Sequence, residues 1–110
     1  MGERLDVMKG TLGLLLLRAV EGGPHHGHHI LKWIRSVTDE TFFVEEGALY
    51  PALHRLEQRG YLEASWGRTS NNRRAKFYAL TTAGRAHLEA ETARWTRYVE
   101  TMAKVLGAST

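Results

Sequence analysis

Apolar residues recur along this chain at three spacings, and each spacing assigns a type of element. Val7, Leu14, Leu17 and Ala19-Val20 fall near helical spacing, so a first helix is expected from Val7 to Val20, weakened by Gly10 and Gly13 and stopped by Gly22-Gly23-Pro24. Ile30, Ile34 and Val37 repeat at three and four residues. They predict a second helix from His26 or Gly27 to about Val37 that buries these three and turns Lys32 and Arg35 outward. Thr38-Asp39-Glu40 ends that helix, and Thr41 to Val44 reads as a short extended link. A third helix is expected over Glu46 to Arg59, closed by Gly60, with Leu49, Leu53 and Leu56 forming one stripe against the first two helices. The period then changes to two. Leu62 to Trp66 and Ala75 to Leu80 alternate as antiparallel strands do, and Gly67 to Asn72 between them is rich in turn formers. Trp66 with Phe77 or Tyr78 is expected to pack this hairpin.

The last element has the third spacing. Thr81 or Thr82 can cap a helix that runs to about Leu106, in which Leu88, Trp95 and Met102 share one heptad register and Val99 and Leu106 the other, with Thr92 a weak member. A stripe of that length with little else to cover it predicts association of two copies through Leu88, Thr92, Trp95, Val99, Met102 and Leu106. The expected fold is an α-rich α+β winged helix-turn-helix. Residues 1–82 would form the winged-helix domain and residues 83–110 a C-terminal dimerisation helix, together one compact unit.

Composition narrows the function. The chain has 110 residues, 43% of them hydrophobic, which suits one small domain that gains stability from a partner subunit. It has no cysteine, which excludes disulfides, thiolate zinc fingers and thiol catalysis. The longest apolar run, Leu12 to Leu17, contains Gly13 and falls far short of the roughly 20 residues that cross a bilayer. Asp6 stands where an N-terminal lipidation signal has Ser or Thr. A cytoplasmic protein with no membrane partner is expected. The net charge of +3 is mild, but its distribution is not: from Ser65 to Leu88 the basic residues Arg68, Arg73, Arg74, Lys76 and Arg85 occur without one acid.

That local charge, next to the third helix, points to nucleic acid. Gly47, Ala48, Pro51, His54, Arg55 and Gln58 lie on or near the face opposite the leucine stripe. Small residues at the leading end let the backbone approach DNA, while Tyr50, His54 and Arg55 can hydrogen-bond phosphates or base edges. An ordinary packing helix with a solvated polar face accounts for the same stripe. Tyr50-Pro51 argues against it, because proline removes a helical hydrogen bond and restricts its predecessor, so the pair either starts the regular helix or kinks it. In the hairpin, Arg73, Arg74 and Lys76, with Arg68 across from them and Asn72 in the turn, can straddle phosphates or enter a narrow minor groove. Catalysis finds no comparable support. A zinc site needs three or four convergent ligands, which closely spaced His25, His26, His28 and His29 do not supply by themselves. There is also no glycine-rich phosphate loop and no His-Glu-x-x-His helix. We therefore expect no enzyme activity, no metal and no cofactor.

Leu49-Tyr50-Pro51-Ala52-Leu53, Arg55-Leu56-Glu57 and Gly60, followed by Arg73, Arg74, Lys76, Phe77, Tyr78, Leu80, Thr81, Gly84 and Arg85, closely resemble the two signature blocks of the PadR family of bacterial transcriptional regulators. The resemblance extends over most of the chain. It implies a homodimeric repressor of a double-stranded DNA operator, contacted by His28 and Lys32 from the second helix, by Ala48, Tyr50, Pro51, His54 and Arg55 from the third, and by Arg68, Asn72, Arg73, Arg74 and Lys76 from the wing. Two departures stand out: His26-Gly27-His28-His29-Ile30 where many relatives have Tyr-Gly-Tyr, and Glu45-Glu46 where a hydroxyl residue or Asn is usual. Trp95 is either a large interface anchor or, as in short relatives resembling multidrug sensors, the stacking surface for a planar aromatic or cationic effector, with Met8 and Leu12 as walls. A winged-helix protein-interaction adaptor without specific DNA binding is the alternative, because a fold does not choose its partner.

Overall fold

The computed structural model describes residues 4–8 and 10–107. A two-residue strand β1 (Leu5–Asp6) precedes helix α1 (Leu12–Ala19). The helix therefore starts well after Val7. Gly10 has φ +92°, outside the right-handed helical region, and the hydroxyl of Thr11 donates to the carbonyl of Met8 at 2.7 Å to close the turn. Next come strand β2 (His25–His26) and helix α2 (Gly27–Val37). Ile30 and Ile34 are buried as expected, but Val37 is 56% exposed, because the chain turns away just beyond it through Asp39 and Glu40, both at positive φ.

Strand β3 (Phe42–Phe43) pairs parallel with β1, an interaction that the extended link from Thr41 to Val44 did not announce. Helix α3 (Glu46–Gln58) carries Pro51 inside it rather than at its start. Proline has no N–H for the carbonyl one turn back, which belongs to Gly47, and both residues are exposed so that water can serve that carbonyl. A Schellman motif closes the helix: the N–H of Tyr61 donates to Leu56 and that of Gly60 to Glu57, both at 3.0 Å, with Gly60 at φ +81°.

Strands β4 (Leu62–Arg68) and β5 (Arg74–Leu80) form the hairpin, with register from Leu62 opposite Leu80 to Arg68 opposite Arg74. It is longer at its tip than alternation suggested, and it is not two-stranded. His25 and His26 pair antiparallel with Tyr78 and Phe77, giving the sheet order β2-β5-β4. Helix α4 (Thr82–Val105) begins at a tight joint. The Thr81 hydroxyl accepts from the N–H of Gly84 at 2.9 Å and donates to the carbonyl of Gly60 at 2.5 Å. A Cβ at position 84 would run into the Tyr61 backbone carbonyl, so this close approach requires glycine.

Leu16 and Leu17 of α1 with Val20 just past its end, Ile30 and Ile34 of α2, and Leu49, Leu53 and Leu56 of α3 form one core with Leu62, Tyr78 and Leu88. Burying a side chain of this size contributes roughly 1.5–3 kcal/mol. The three helices therefore hold one another with α3's leucine stripe inward and its polar face outward. No helix among the described residues is long and apolar enough to cross a membrane.

Candidate nucleic-acid interface

Because the leucines of α3 face the core, geometry leaves Glu45, Glu46, Gly47, Ala48, Tyr50, Pro51, His54, Arg55 and Gln58 on its outer side, all exposed. Tyr50 leans back against the start of α2. A Cβ on Gly27 would come within 2.5 Å of the Tyr50 hydroxyl oxygen, so Gly27 makes room for the ring. Burial first, and then the Glu46 carboxylate, raise the Tyr50 pKa above its ordinary value, which keeps the phenol a hydrogen-bond donor. The two glutamates at the helix start favour the helix dipole and oppose a phosphate placed close by.

The wing overhangs this region. His26 of β2, His28 and Lys32 of α2, Tyr50 of α3, and Trp66, Arg73, Arg74 and Lys76 of the wing line a cleft of about 840 Å³, with no acid among the described residues that line it. His28 and Lys32, four residues apart on α2, are exposed on one face. The wing cations are held differently from one another. Arg68 donates to the carbonyl of Asn72 at 3.2 Å across the turn, where Asn72 sits at φ +63°. Arg74 lies with its guanidinium carbon 4.5 Å from the centre of the Trp66 ring. Lys76 reaches back to Glu57 of α3 at 3.2 Å, so its charge is engaged within the chain. Trp66, expected to pack the hairpin, is instead 61% exposed. The packing falls to Tyr78, which is buried.

The histidine cluster joins wing and helix. The His26 ring accepts the N–H of His29 through Nδ1 at 3.4 Å and caps α2. Its edge meets the Phe77 ring at 5.3 Å, and the His25 and His29 rings stack at 4.0 Å. Burial is the first cause lowering the pKa of both His25 and His26; neighbouring histidines add to it, His29 and His26 for the former and His28 and His29 for the latter. Among the described residues no group of three or more potential ligands converges as a metal would require.

Away from this face, α4 leaves Trp95, Tyr98, Val99, Met102 and Val105 exposed, as is Leu106 at its C-terminal cap. Leu88, placed by its spacing in the same stripe, is only 4% exposed and belongs to the core of its own chain, so the outward stripe begins further along. Thr92 is exposed. A second cleft, of about 690 Å³, is lined by Met8, Thr11, Leu14, Glu91, Trp95 and Tyr98 among others. Leu12 is not among the described residues that line it and packs instead against the core. Tyr98 is the residue that sequence reasoning missed here. Its ring stacks on Trp95 at 5.7 Å, and its position three residues on was the available signal.

Comparison with known proteins adds a family to this geometry. Residues 16–90 match the model of the transcriptional regulator PadR-like family. An uncharacterised protein of Lysinibacillus sphaericus is 30% identical over 97 residues, covering 88% of this chain and 89% of that one. Among solved structures, a transcriptional regulator from Clostridium thermocellum superposes with a TM-score of 0.79 at 28% identity, covering 87% of this chain and 90% of that one. A PadR family transcription regulator from Clostridium difficile does so with a TM-score of 0.74 at 26% identity, over 88% and 98% of the two chains.

Proposed function

This chain belongs to the PadR-like family of transcriptional regulators, which act by binding DNA and not by catalysis, and on that premise we propose that it is a homodimeric repressor released from its operator by a small molecule. Residues 1–82 serve as the DNA-binding domain and residues 83–110 as the dimerisation segment, whose helix α4 ends at Val105; residues 1–3, 9 and 108–110 of these two spans lie outside the described residues. In each subunit α3 enters the major groove, presenting Ala48, Tyr50, Pro51, His54 and Arg55, while the wing follows the adjacent backbone with Arg68, Asn72, Arg73 and Arg74. His28 and Lys32 meet the phosphates on the other side of the cleft. The observation that carries this reading is that cleft: α2, α3 and the wing contribute cations and hydrogen-bond donors to it, and no acid among the described residues that line it.

The exposed apolar part of α4 supports pairing with a second copy through Thr92, Trp95, Val99, Met102 and Leu106. Two-fold symmetry is the common solution for such a self-complementary stripe. The cleft beside Trp95 and Tyr98 supports a planar aromatic effector that stacks on these rings, walled by Met8 and Leu14. An effector that binds better when the two heads are set apart from operator spacing would lower DNA affinity by its differential affinity for that arrangement.

Titration of labelled duplex DNA at a series of salt concentrations tests the reading. Replacing Arg73 and Arg74 by alanine should weaken binding to all duplexes and reduce the slope of log affinity against log salt by about 1 to 2, at roughly 0.9 per lost phosphate contact. Parental affinity and slope in the folded double variant would exclude the wing from the interface. Absence of any salt-dependent DNA affinity in the parent would favour the adaptor reading instead.

A further inference from the structure

Trp66 is an exposed tryptophan on the side of the hairpin that faces the core further down. Leu62 and Ala64 precede it on the same face of β4, and opposite these three stand Leu80, Tyr78 and Lys76 of β5, with Arg74 one step beyond. At position 66 this face has run past the edge of the core, and 61% of the residue is accessible. The indole thus gains little from burial in its own chain. Its defined contact is with Arg74, whose guanidinium carbon stands 4.5 Å from the ring centre, and both residues line the cleft between wing and α2.

We propose that Trp66 is a positioning residue of the DNA interface, holding the Arg74 guanidinium by cation–π stacking so that it meets a phosphate of the DNA backbone already oriented. The inference rests on the reading that the wing binds DNA. Physical chemistry distinguishes this arrangement from the one its neighbour uses. Lys76 is held by the carboxylate of Glu57, which cancels charge and occupies donors. An aromatic face holds a guanidinium without cancelling its charge, and it covers the plane of the group while leaving the N–H edges free for paired hydrogen bonds to phosphate oxygens. A free arginine at an exposed turn would lose more side-chain entropy on binding; one already stacked loses less. Trp66 thereby acts through Arg74.

Competition titration against a labelled mixed-sequence duplex, with Trp66→Leu, Trp66→Phe, Arg74→Ala and the Trp66→Leu/Arg74→Ala double variant, tests this. Trp66→Leu should weaken binding about two- to five-fold, the range that an exposed cation–π contact supports. Trp66→Phe should recover most of that loss, and Trp66→Leu should cost nothing further once Arg74 is alanine. Upfield ring-current shifts of the Arg74 side-chain protons should be present in the parent and absent from Trp66→Leu, with unfolding temperature and sedimentation unchanged. Two results overturn the inference while leaving DNA binding by the wing intact: Arg74→Ala weakens binding but Trp66→Leu does not, or Trp66→Leu costs as much without Arg74 as with it. A parental affinity that Arg74→Ala leaves untouched overturns the inference together with Arg74's place in the interface.

Discussion

At the scale of single residues, the histidines at the start of α2 show how one substitution pattern acquires a pH dependence. His26 caps the helix through an unprotonated Nδ1 and lies against Phe77, while His25 stacks on His29. Protonation removes the cap and brings cations together at the positive end of a helix dipole. Burial, ahead of the neighbouring histidines, lowers the pKa of His25 and His26 in the folded chain. Between the lowered folded value and the unfolded value of about 6.5, the unfolded chain binds more protons, so stability rises with pH. The contribution is complete above that unfolded value and is lost as pH falls through the folded ones. Urea unfolding should therefore show a falling midpoint as pH drops below about 6.5. His26→Asn, which keeps an N-cap acceptor but does not titrate, should flatten this decline. Arg18 and Glu21 beside His25, and Lys32, Tyr50, Lys76 and Tyr78 around His26, remain as background in both proteins. An acid limb of equal steepness in the variant would remove His26 as its source. The four histidines are plain in the sequence, whereas their contact with the wing strand is not, because two residues of β2 are too short a segment to show a period.

At the scale of elements, function depends on how the wing is fixed to α3. The Schellman turn at Gly60, the Thr81 hydroxyl bonded to the Gly60 carbonyl, and the Lys76 to Glu57 ion pair tie the end of α3 to both the hairpin and α4. Glu57→Gln keeps the shape and a hydrogen-bond acceptor but releases the Lys76 charge toward the cleft. It should cost less than about 1 kcal/mol in stability, because both side chains are about a third exposed and solvent screens the pair. On DNA it should steepen the log-affinity against log-salt slope by up to about 0.9, one added phosphate contact. A slope identical to the parent's would mean that Lys76 stays away from phosphate even when freed. The leucine period placed α3 within a residue of its observed ends. It could not say whether Pro51 started or bent the helix. That depended on whether the carbonyl it leaves unpaired, that of Gly47, would face water, a question of tertiary packing.

At the scale of the whole molecule, α4 does two jobs along one apolar stripe. Near its start it seals the core through Leu88, and beyond that it presents Trp95, Val99 and Met102 outward. Substitutions at the two ends should therefore fail differently. Leu88→Ala should lower the stability of each subunit by about 2–5 kcal/mol through lost burial and the cavity left behind. Met102→Glu should leave the secondary structure intact and convert dimers to monomers in sedimentation, since a charge without a partner is costly to bury between two helices. Dimers persisting in Met102→Glu would show that α4 does not form the subunit contact. The heptad pattern could not separate Leu88 from Met102, because both satisfy the same spacing and only the position of α1 and the sheet decides which is covered.

The sequence by itself determined the elements whose signal is periodic and local. These are the leucine stripe of α3, the alternation of β4 and β5, the basic run without acids in the wing, and the glycine that ends α3. Each depends on side-chain spacing or on one residue's backbone preference, and both are present in the chain before it folds. The tertiary structure alone decided the rest. It paired β1 with β3 and β2 with β5, took Val7 out of α1 and Leu12 out of the cleft, buried Leu88, and left Trp66 uncovered beside Arg74. These outcomes depend on which surfaces meet across long stretches of sequence. Short strands, stripe ends and an aromatic at the rim of a sheet carry too little periodicity to announce their neighbours.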